Sequence, residues 1–425
     1  MQKKHLDSLL LLGYSLFFIS LVFAVRPLNS IAIAFLALIG LLFRFSIQEN
    51  KQIRKNTRLF WLSCFLFYLL YILSLLYTSN YAETLRQLQL KSSLVFVPLF
   101  LVLYRPSRRQ LELYNTVYIF SLLIAVVFCL LFATYKTMFR EASGSDWWFY
   151  HALVSPFKQH AVLFSMLIFF ALTDIVDRFH QKEYLVNFWF HGLVLTLFIG
   201  FLFLLSSKLI ISGFILYVLA FITRVVRNRS ITIFSISVLF ITIVGLFATV
   251  NPISNRFREI VEGDMSMISQ PKFSQGTYFN GLQFRLIQWK NVAELLDENN
   301  AVILGLSPGN AQEKLNEKYI SKDMYYGTVE RHERGFLGYN THNQFLESTL
   351  HLGITGLTVF LFMIAGLILL CLKGKSTQLW FVVGMLLAFC LTESVLETQY
   401  GLVIFTFFPV FFYYRTIADK PIRIS

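Results

Sequence analysis

Charged residues are scarce in this chain of 425 residues, of which only 14% are Asp, Glu, Lys or Arg and 56% are hydrophobic. Because soluble domains ordinarily carry about 25% charged residues, this composition excludes an ordinary soluble protein. The sequence also has no D-x-D motif, no cluster with the spacing of zinc ligands and no glycine-rich nucleotide loop. These absences argue against metal-dependent and nucleotide-binding chemistry, so we expect neither a metal nor another cofactor.

Cysteine is rare as well. The four cysteines, Cys64, Cys129, Cys371 and Cys390, all lie inside apolar runs. A thiol in such a run behaves as a small buried hydrophobe, so we expect no disulfide. The first apolar run, residues 6–25, lacks the small-residue end of a cleaved signal peptide. We therefore predict that it stays in place as a helix.

Long apolar runs, in contrast, are abundant. A helix needs about 20 apolar residues to cross the ~30 Å hydrocarbon core of a bilayer. The runs predict an all-α, polytopic membrane protein with about twelve transmembrane helices, folded as one membrane domain over residues 1–425. Pro98, in the short fourth span, predicts a break that neighbouring helices would bury. The predicted spans are 6–25, 29–47, 59–77, 92–104, 111–134, 159–176, 185–205, 209–223, 231–250, 344–372, 379–396 and 400–414.

The basic residues predict the orientation of these spans. The net charge is +13, and Lys and Arg collect in the cytoplasmic loops of membrane proteins. The loops rich in Lys and Arg alternate with poorer ones and fall on the side of both termini, so both termini are predicted to be cytoplasmic. The charge thus reflects topology, and no nucleic-acid partner is expected. The basic set includes Lys3, Lys4, Lys51, Arg54, Lys55, Arg58, Arg105, Arg108, Arg109, Arg178, Lys182, Arg224, Arg227, Arg229, Lys373, Lys375, Arg415, Lys420 and Arg423.

One predicted periplasmic loop, residues 251–343, is polar and far longer than ordinary connections, which is typical of a functional segment. Arg285 lies in this loop beside an apolar helical face that could rest on the membrane surface. It either snorkels toward water or holds its planar donor fork at headgroup level, where it could grip phosphate. The apolar face comprises Leu282, Leu286, Trp289, Ala293 and Leu296.

The segment 305–310, Gly-Leu-Ser-Pro-Gly-Asn, predicts a tight turn. Asn310 and Glu313 have the spacing of a helix capping box. A helix start of this kind could bind an anion through its backbone N–H groups, but a plain structural turn is the better expectation.

A second helix start is predicted by Thr341 and Gln344, which again have capping-box spacing. His342 would then lie in the first turn, where the helix dipole disfavours imidazolium and leaves a neutral ring able to accept a proton. The competing interpretation is a histidine that only caps or hydrogen-bonds locally. Asn343, beside it, and Trp289, one turn after Arg285, are further possible site residues.

Other candidates lie near the predicted outer ends of the spans. Lys208 follows two serines in a very short link, and it is either an interfacial anchor or a phosphate contact. His160 opens the sixth span and could approach the same cavity as His342. Glu393 and Glu397 lie near the end of the eleventh span, where an acid is costly and indicates function or pairing. The sequence assigns no role to either acid.

Four short motifs follow one another from the loop between the predicted ninth and tenth spans: Arg285-x-x-x-Trp289, Gly305-x-x-Pro-Gly-Asn310, His342-Asn-x-x-Leu346 and Gly353-Ile-x-Gly356-Leu. Each motif is short, but their order, spacing and position resemble the O-antigen ligase/polymerase family of lipid-linked glycan transferases. The resemblance covers residues 200–360 well and the rest of the chain loosely.

The resemblance implies a metal-independent, inverting glycosyltransferase with a C-type membrane fold, placed in the bacterial inner membrane with a periplasmic active site. Its donor would be a glycan on undecaprenyl diphosphate. Its acceptor would be lipid A–core in a ligase, or another lipid-linked repeat unit in a polymerase. By the same resemblance, Arg285 and Lys208 hold the diphosphate and His342 is catalytic. Many family members have Arg where this chain has Lys208, and Lys keeps the charge but loses the bidentate fork.

Other functions stay open. An O-antigen or exopolysaccharide polymerase and a protein O-glycosyltransferase would use the same donor and differ only in the acceptor. A membrane transporter suits twelve spans, but transporters place ionisable residues and broken helices at the midplane, whereas polar residues gather here in one loop. A scaffold for polysaccharide export would not need Arg285 and His342 in register at the membrane surface.

Overall fold

A computed structural model describes residues 2–43, 51–139, 146–226, 264–327 and 335–418, together with isolated positions between 229 and 240. Regular structure in these ranges consists of helices, and none of the described residues forms a strand. The all-α class predicted from the apolar runs is therefore confirmed.

The helices are numbered here in chain order over the described ranges. They are α1 (Gln2–Val22), α2 (Arg26–Leu42), α3 (Lys51–Leu73), α4 (Tyr81–Lys91), α5 (Ser93–Leu103), α6 (Arg108–Phe139), α7 (Tyr150–Leu153), α8 (Ala161–Gln181), α9 (Phe188–Leu204), α10 (Lys208–Val225), α11 (Gly281–Glu298), α12 (Pro308–Ser321), α13 (Gln344–Gly374), α14 (Thr377–Thr392) and α15 (Gln399–Ala418).

Seven helical stretches among the described residues are long and apolar enough to cross a membrane, and α2, α9 and α14 are shorter apolar helices. This pattern is that of a polytopic membrane protein. The helix continues through Pro98, so the predicted break at that residue is wrong. The predicted ninth span, 231–250, lies almost wholly outside the described residues. The seven stretches are His5–Val22, Lys55–Leu76, Tyr81–Leu103, Arg108–Phe139, Lys208–Val225, Gln344–Gly374 and Gln399–Ala418.

The central helix of the bundle is α15, in which every side chain from residue 400 to residue 414 is buried. A helix that is apolar on all sides belongs in the interior of a bundle. Its aromatic side chains contact those of α1: the Phe407 and Phe411 rings lie 5.5 and 5.8 Å from the Phe18 ring. All four cysteines are buried and free, as the sequence predicted.

A second group of buried apolar residues joins α11, α12 and the start of α13. The side of α11 that enters it carries Phe284, Ile287, Val292, Leu295 and Leu296, whereas the apolar face predicted to lie on the membrane surface is mostly a different one. Of the predicted face, Leu296 is buried and Ala293 is exposed. Since α11 has apolar side chains on both sides, tertiary packing alone decides which side is covered.

Helix α13 is broken at Gly353, which has φ 64° and ψ −159°. The loop between α11 and α12 fits into this break. Leu306 N donates to Leu350 O at 2.9 Å and Ile354 N donates to Val302 O at 2.8 Å. A Cβ on Gly353 would lie 2.2 Å from Ile303 O. Only glycine permits both the left-handed backbone and this close approach.

The turn at residues 305–310 also has a structural role. A Cβ on Gly309 would meet Asn80 O at 2.3 Å, so this backbone packs directly on the start of α4. The predicted capping box of Asn310 is wrong, because α12 begins earlier, at Pro308 after Ser307. Asn310 Oδ1 instead accepts from Ser79 Oγ at 2.8 Å and from Asn80 N at 3.1 Å.

We predict that Gly353→Ala strongly destabilises the protein, because the alanine is strained in its backbone and collides with Ile303 O. The expected loss is about 3 kcal/mol or more, measured as a lower thermal unfolding midpoint in detergent. Gly384→Ala in α14 is the matched control, since nothing lies within 4 Å of its Cβ position. Equal midpoints for the two variants would contradict the prediction.

Candidate functional site

The carboxylate of Glu393 binds two residues that are far apart in the sequence. Its Oε1 accepts from Arg285 Nη2 at 2.9 Å, and its Oε2 lies 2.8 Å from His342 Nδ1. Glu393 directly follows α14, Arg285 lies in α11, and His342 lies just before α13. Two candidates predicted independently from the sequence are thus brought together by a third residue to which the sequence gave no role.

Arg285 is held firmly by the protein. Its helix, α11, begins with a complete capping box formed by Asn280 and Gln283. Arg285 Nε donates to Thr392 O at 3.0 Å, and Nη1 donates to Gly281 O at 3.0 Å. A guanidinium has five N–H donors, so about two remain for a ligand. The side chain keeps 28% of its surface exposed, which leaves room for one.

His342 lies just outside the helix, with a left-handed φ of 46°. The prediction that it occupies the first turn is wrong, because the N-cap is Asn343, whose Oδ1 accepts from Phe345 N and Leu346 N. The predicted Thr341 capping box is wrong for the same reason. Non-glycine residues with left-handed backbones cluster at functional sites. Since Nδ1 binds Glu393, Nε2 is the nitrogen that stays available to a substrate.

Glu393 remains ionised despite its burial. Burial alone would raise the pKa of this carboxyl, but the hydrogen bond from His342 and the charges of His342 and Arg285 outweigh it. The net result is a pKa below the usual value for Glu. Its signal in the sequence was an acid at the end of an apolar run, which is costly unless the acid is paired.

His160, the residue before α8, lies in the same electrostatic environment. Burial lowers the pKa of its imidazole; Glu393 opposes this effect, and the charges of His342 and Arg285 reinforce it. Its Nδ1 is buried and has no hydrogen-bond partner among the described residues. This ring is therefore a neutral polar group next to the trio of Arg285, Glu393 and His342.

Lys208 is the first residue of α10. Helices α10 and α14 are antiparallel: the Tyr217 and Phe381 rings lie 5.2 Å apart, and Arg224 Nη1 donates to Thr377 Oγ1 at 3.1 Å. Lys208 begins α10, and Glu393 directly follows α14, so the antiparallel arrangement puts these two helix ends on the same side of the bundle.

Asn343 and Trp289 are the two remaining candidates. Asn343 caps α13, and its Nδ2 donates to Leu391 O at 3.3 Å. Trp289 is half-buried, and its Nε1 lacks a partner among the described residues. Aromatic rings do flank His342: the Phe284 ring lies 6.3 Å from it and the Tyr339 ring 5.8 Å.

One group of described residues has the geometry of a metal site. Ligand atoms of Glu347, His351 and Glu397 lie within 4.8 Å of one another. Lys91 Nζ, however, donates to Glu397 Oε1 at 2.5 Å and to Leu396 O at 2.5 Å. The ammonium of Lys91 thus supplies the positive charge that these buried carboxylates need, and an ion would have to compete with it.

Fold and site together define a polytopic, all-α membrane protein that carries a charged Arg–Glu–His site at one end of its helix bundle. Residues 193–361 match the family model described as O-Antigen ligase. This match supports the resemblance found in the sequence: the part of the chain from α9 into α13 is similar to the O-antigen ligase family, whose members are glycosyltransferase-like enzymes. No curated protein matches the chain. The match contains Lys208, Arg285 and His342, but not Glu393.

We predict that Glu393→Gln makes the protein less stable at neutral pH. Because the folded-state pKa of Glu393 is lowered, its contacts stabilise the fold above about pH 4.3, the pKa of an unpaired Glu, and this stabilisation is lost as the pH falls through the folded-state pKa. The expected loss is about 2 kcal/mol near neutral pH. Thermal unfolding in detergent at a series of pH values measures it.

The control is Glu313→Gln, an exposed acid on α12. We expect the gap between wild type and Glu393→Gln to shrink below about pH 4, whereas the control follows wild type throughout. A gap of the same size at every pH would show that the charge of Glu393 is not what stabilises the site.

Proposed function

We propose that this protein is an O-antigen ligase: a metal-independent, inverting glycosyltransferase that moves a glycan from undecaprenyl diphosphate to lipid A–core. The observation that carries the proposal is the sharing of the Glu393 carboxylate by Arg285 and His342. A cation for a departing diphosphate and a base for an attacking hydroxyl are the two groups that this reaction needs. The family match at residues 193–361 supports the assignment.

On the donor side, Arg285 neutralises the diphosphate. Its fixed guanidinium offers its remaining N–H groups to phosphate oxygens, and such pre-oriented donors stabilise the charge that develops as the diphosphate leaves. Lys208, at the start of α10, adds a second positive charge at the same end of the bundle. Two cations of the protein thereby take the part that a divalent metal plays in other glycosyl transfers.

On the acceptor side, His342 is the general base. Its Nδ1–H donates to Glu393, which fixes the tautomer and leaves the Nε2 lone pair to face the acceptor hydroxyl. As Nε2 takes the proton, the hydroxyl oxygen attacks the anomeric carbon and the bond from that carbon to the diphosphate oxygen breaks. Attack from the face opposite the diphosphate inverts the configuration. The proton on His342 then passes to solvent.

The site belongs, in this proposal, to the periplasmic face of the inner membrane, with both termini in the cytoplasm. Its residues lie at helix ends: Lys208 begins α10, and Glu393 follows α14. Lipid-linked glycans present their sugar outside the bilayer, so a site at the helix ends suits them. A transporter would need its polar residues near the midplane.

We predict that Arg285→Ala and His342→Ala each fail to restore O-chain attachment when expressed in a strain that lacks the gene. Loss of one preorganised donor or of the general base lowers rates by about 10²- to 10³-fold. Gel electrophoresis of the lipopolysaccharide, at matched protein levels, measures this. Arg285→Lys should be intermediate, since Lys keeps the charge without the fork. Lys314→Ala, on the surface of α12, is the control and should rescue fully.

The deletion itself separates the alternatives. Complete core lipid without any O-chain, with long glycan accumulating on the lipid carrier, identifies the ligase. Core lipid that still carries a single repeat unit identifies a polymerase. An unchanged ladder points to another surface glycan or to a protein acceptor. Full rescue by both Arg285→Ala and His342→Ala would overturn the catalytic assignment.

A separate prediction concerns the donor. Lys208→Ala should raise the KM for the lipid-linked donor about ten-fold, equivalent to about 1.4 kcal/mol of binding, because one cation is lost from the diphosphate site. Lys208→Arg should match or improve on wild type, since its fork suits phosphate. Transfer assays at varied donor concentration test this. An unchanged KM in Lys208→Ala would mean that Lys208 is only an interfacial anchor.

A further inference from the structure

The carboxylate of Glu347, in the first turn of α13, is buried directly behind the proposed site. Its Oε2 accepts from Thr341 N at 3.0 Å and from Thr341 Oγ1 at 2.6 Å. The same oxygen accepts from Ser394 Oγ at 3.2 Å. Thr341 precedes His342 in the chain, and Ser394 follows Glu393. One oxygen atom therefore joins the two backbone segments that carry the His342–Glu393 pair.

The other oxygen of Glu347 ties this junction to the helix bundle. Oε1 lies 3.2 Å from His351 Nε2, and His351 Nδ1 lies 2.9 Å from Tyr71 OH in α3. If Tyr71 O–H donates to Nδ1 and Nε2–H donates to Glu347, all three groups are satisfied with a neutral ring. Glu347 is 4% exposed, so these contacts form away from water, where charged hydrogen bonds are strongest.

The backbone of His342 needs such support. Its φ of 46° is a left-handed conformation that costs free energy in a non-glycine residue and persists only where the surroundings hold it. Asn343 and Gln344 also link the two segments, through Leu391 O at 3.3 Å and Leu396 N at 2.6 Å. Those bonds are between neutral groups. Glu347 alone supplies a charged acceptor to both segments among the described contacts.

We propose that Glu347 is a positioning residue that sets the spacing and orientation of His342 against Glu393. The inference rests on the proposed function, since it concerns the same base. Glu347 touches no substrate, because its side chain is buried and both its oxygens are bonded to protein groups. It therefore acts on the rate of the chemical step through His342, and not on the binding of either substrate.

The test compares Glu347→Leu with Glu347→Gln. The assay uses lipid-linked glycan and core lipid, both purified from the deletion strain, with the variant proteins in liposomes. Leu removes the acceptor for Thr341 and Ser394, and we expect kcat to fall about 100-fold, as small misplacements of catalytic groups do. Gln keeps one carbonyl oxygen for Thr341 N–H, so we expect only about a ten-fold loss. The KM values for donor and acceptor should stay within about two-fold of wild type.

The matched control is Thr349→Val in the same helix. Thr349 Oγ1 donates to Phe345 O at 2.8 Å, a local bond that does not reach the site, and its loss should leave kcat unchanged. Ser394→Ala is a smaller change than Glu347→Leu, so it can test the proposal even if the leucine variant does not fold. It removes one donor to Glu347, and we expect a loss of about three- to ten-fold in kcat.

A double-mutant cycle separates positioning from a loss of folded protein. If Glu347 acts through His342, then Glu347→Leu has no further effect once His342→Ala is present, and the two residual rates agree within about two-fold. A further fall of about 100-fold in that background would overturn the proposal, as would full activity of Glu347→Leu or of Ser394→Ala. A failure of the proposed function would give a different result, because the His342→Ala variant would then transfer glycan as fast as wild type.

Discussion

The shared carboxylate of Glu393 is the interaction on which the rest of the site depends. It receives Arg285 on one oxygen and His342 on the other, so three separate parts of the chain meet at one group. Removing the acid would leave a guanidinium with fewer fixed contacts and an imidazole free to rotate. In the proposed mechanism, Arg285 faces the diphosphate and His342 faces the acceptor. Both side chains must therefore keep a fixed position relative to each other.

Desolvation explains why the buried charges among the described residues occur in bonded groups. A lone charge in an apolar bundle is costly, whereas a charge with hydrogen-bonded partners is tolerated. At the end of the bundle opposite the site, Asp174 of α8 is bonded to Arg178 and to Arg415 of α15, and both arginines also bond Glu112 of α6. Near the site, Lys91 and Glu397 form a comparable buried pair. Between these groups α15 is apolar and fully packed.

The sequence pointed to a good part of the candidate site. Arg285, His342 and Lys208 were found because residues of their kind at those places suit the chemistry and because they match a known family, and His160 was found from its place at the start of a span. Glu393 drew attention only as a costly acid near the end of a span. Its partners lie 108 and 51 positions away in the chain, and no local pattern can reveal pairing over such distances. Helices do begin near Thr341 and Asn310, but neither residue is the N-cap. The side chain of Thr341 bonds Glu347, and that of Asn310 bonds the backbone of Asn80.

By itself, the sequence determined that this protein is a bundle of apolar helices and that the functional segment is polar, since composition and run length fix what a bilayer accepts. It also indicated the family resemblance over residues 200–360, and the family match at residues 193–361 supports it. Only the tertiary structure decided which side of α11 is buried, why Gly353 must be glycine, and which acid holds Arg285 and His342. Those facts depend on contacts between segments distant in the chain, and such contacts exist only once the helices have packed.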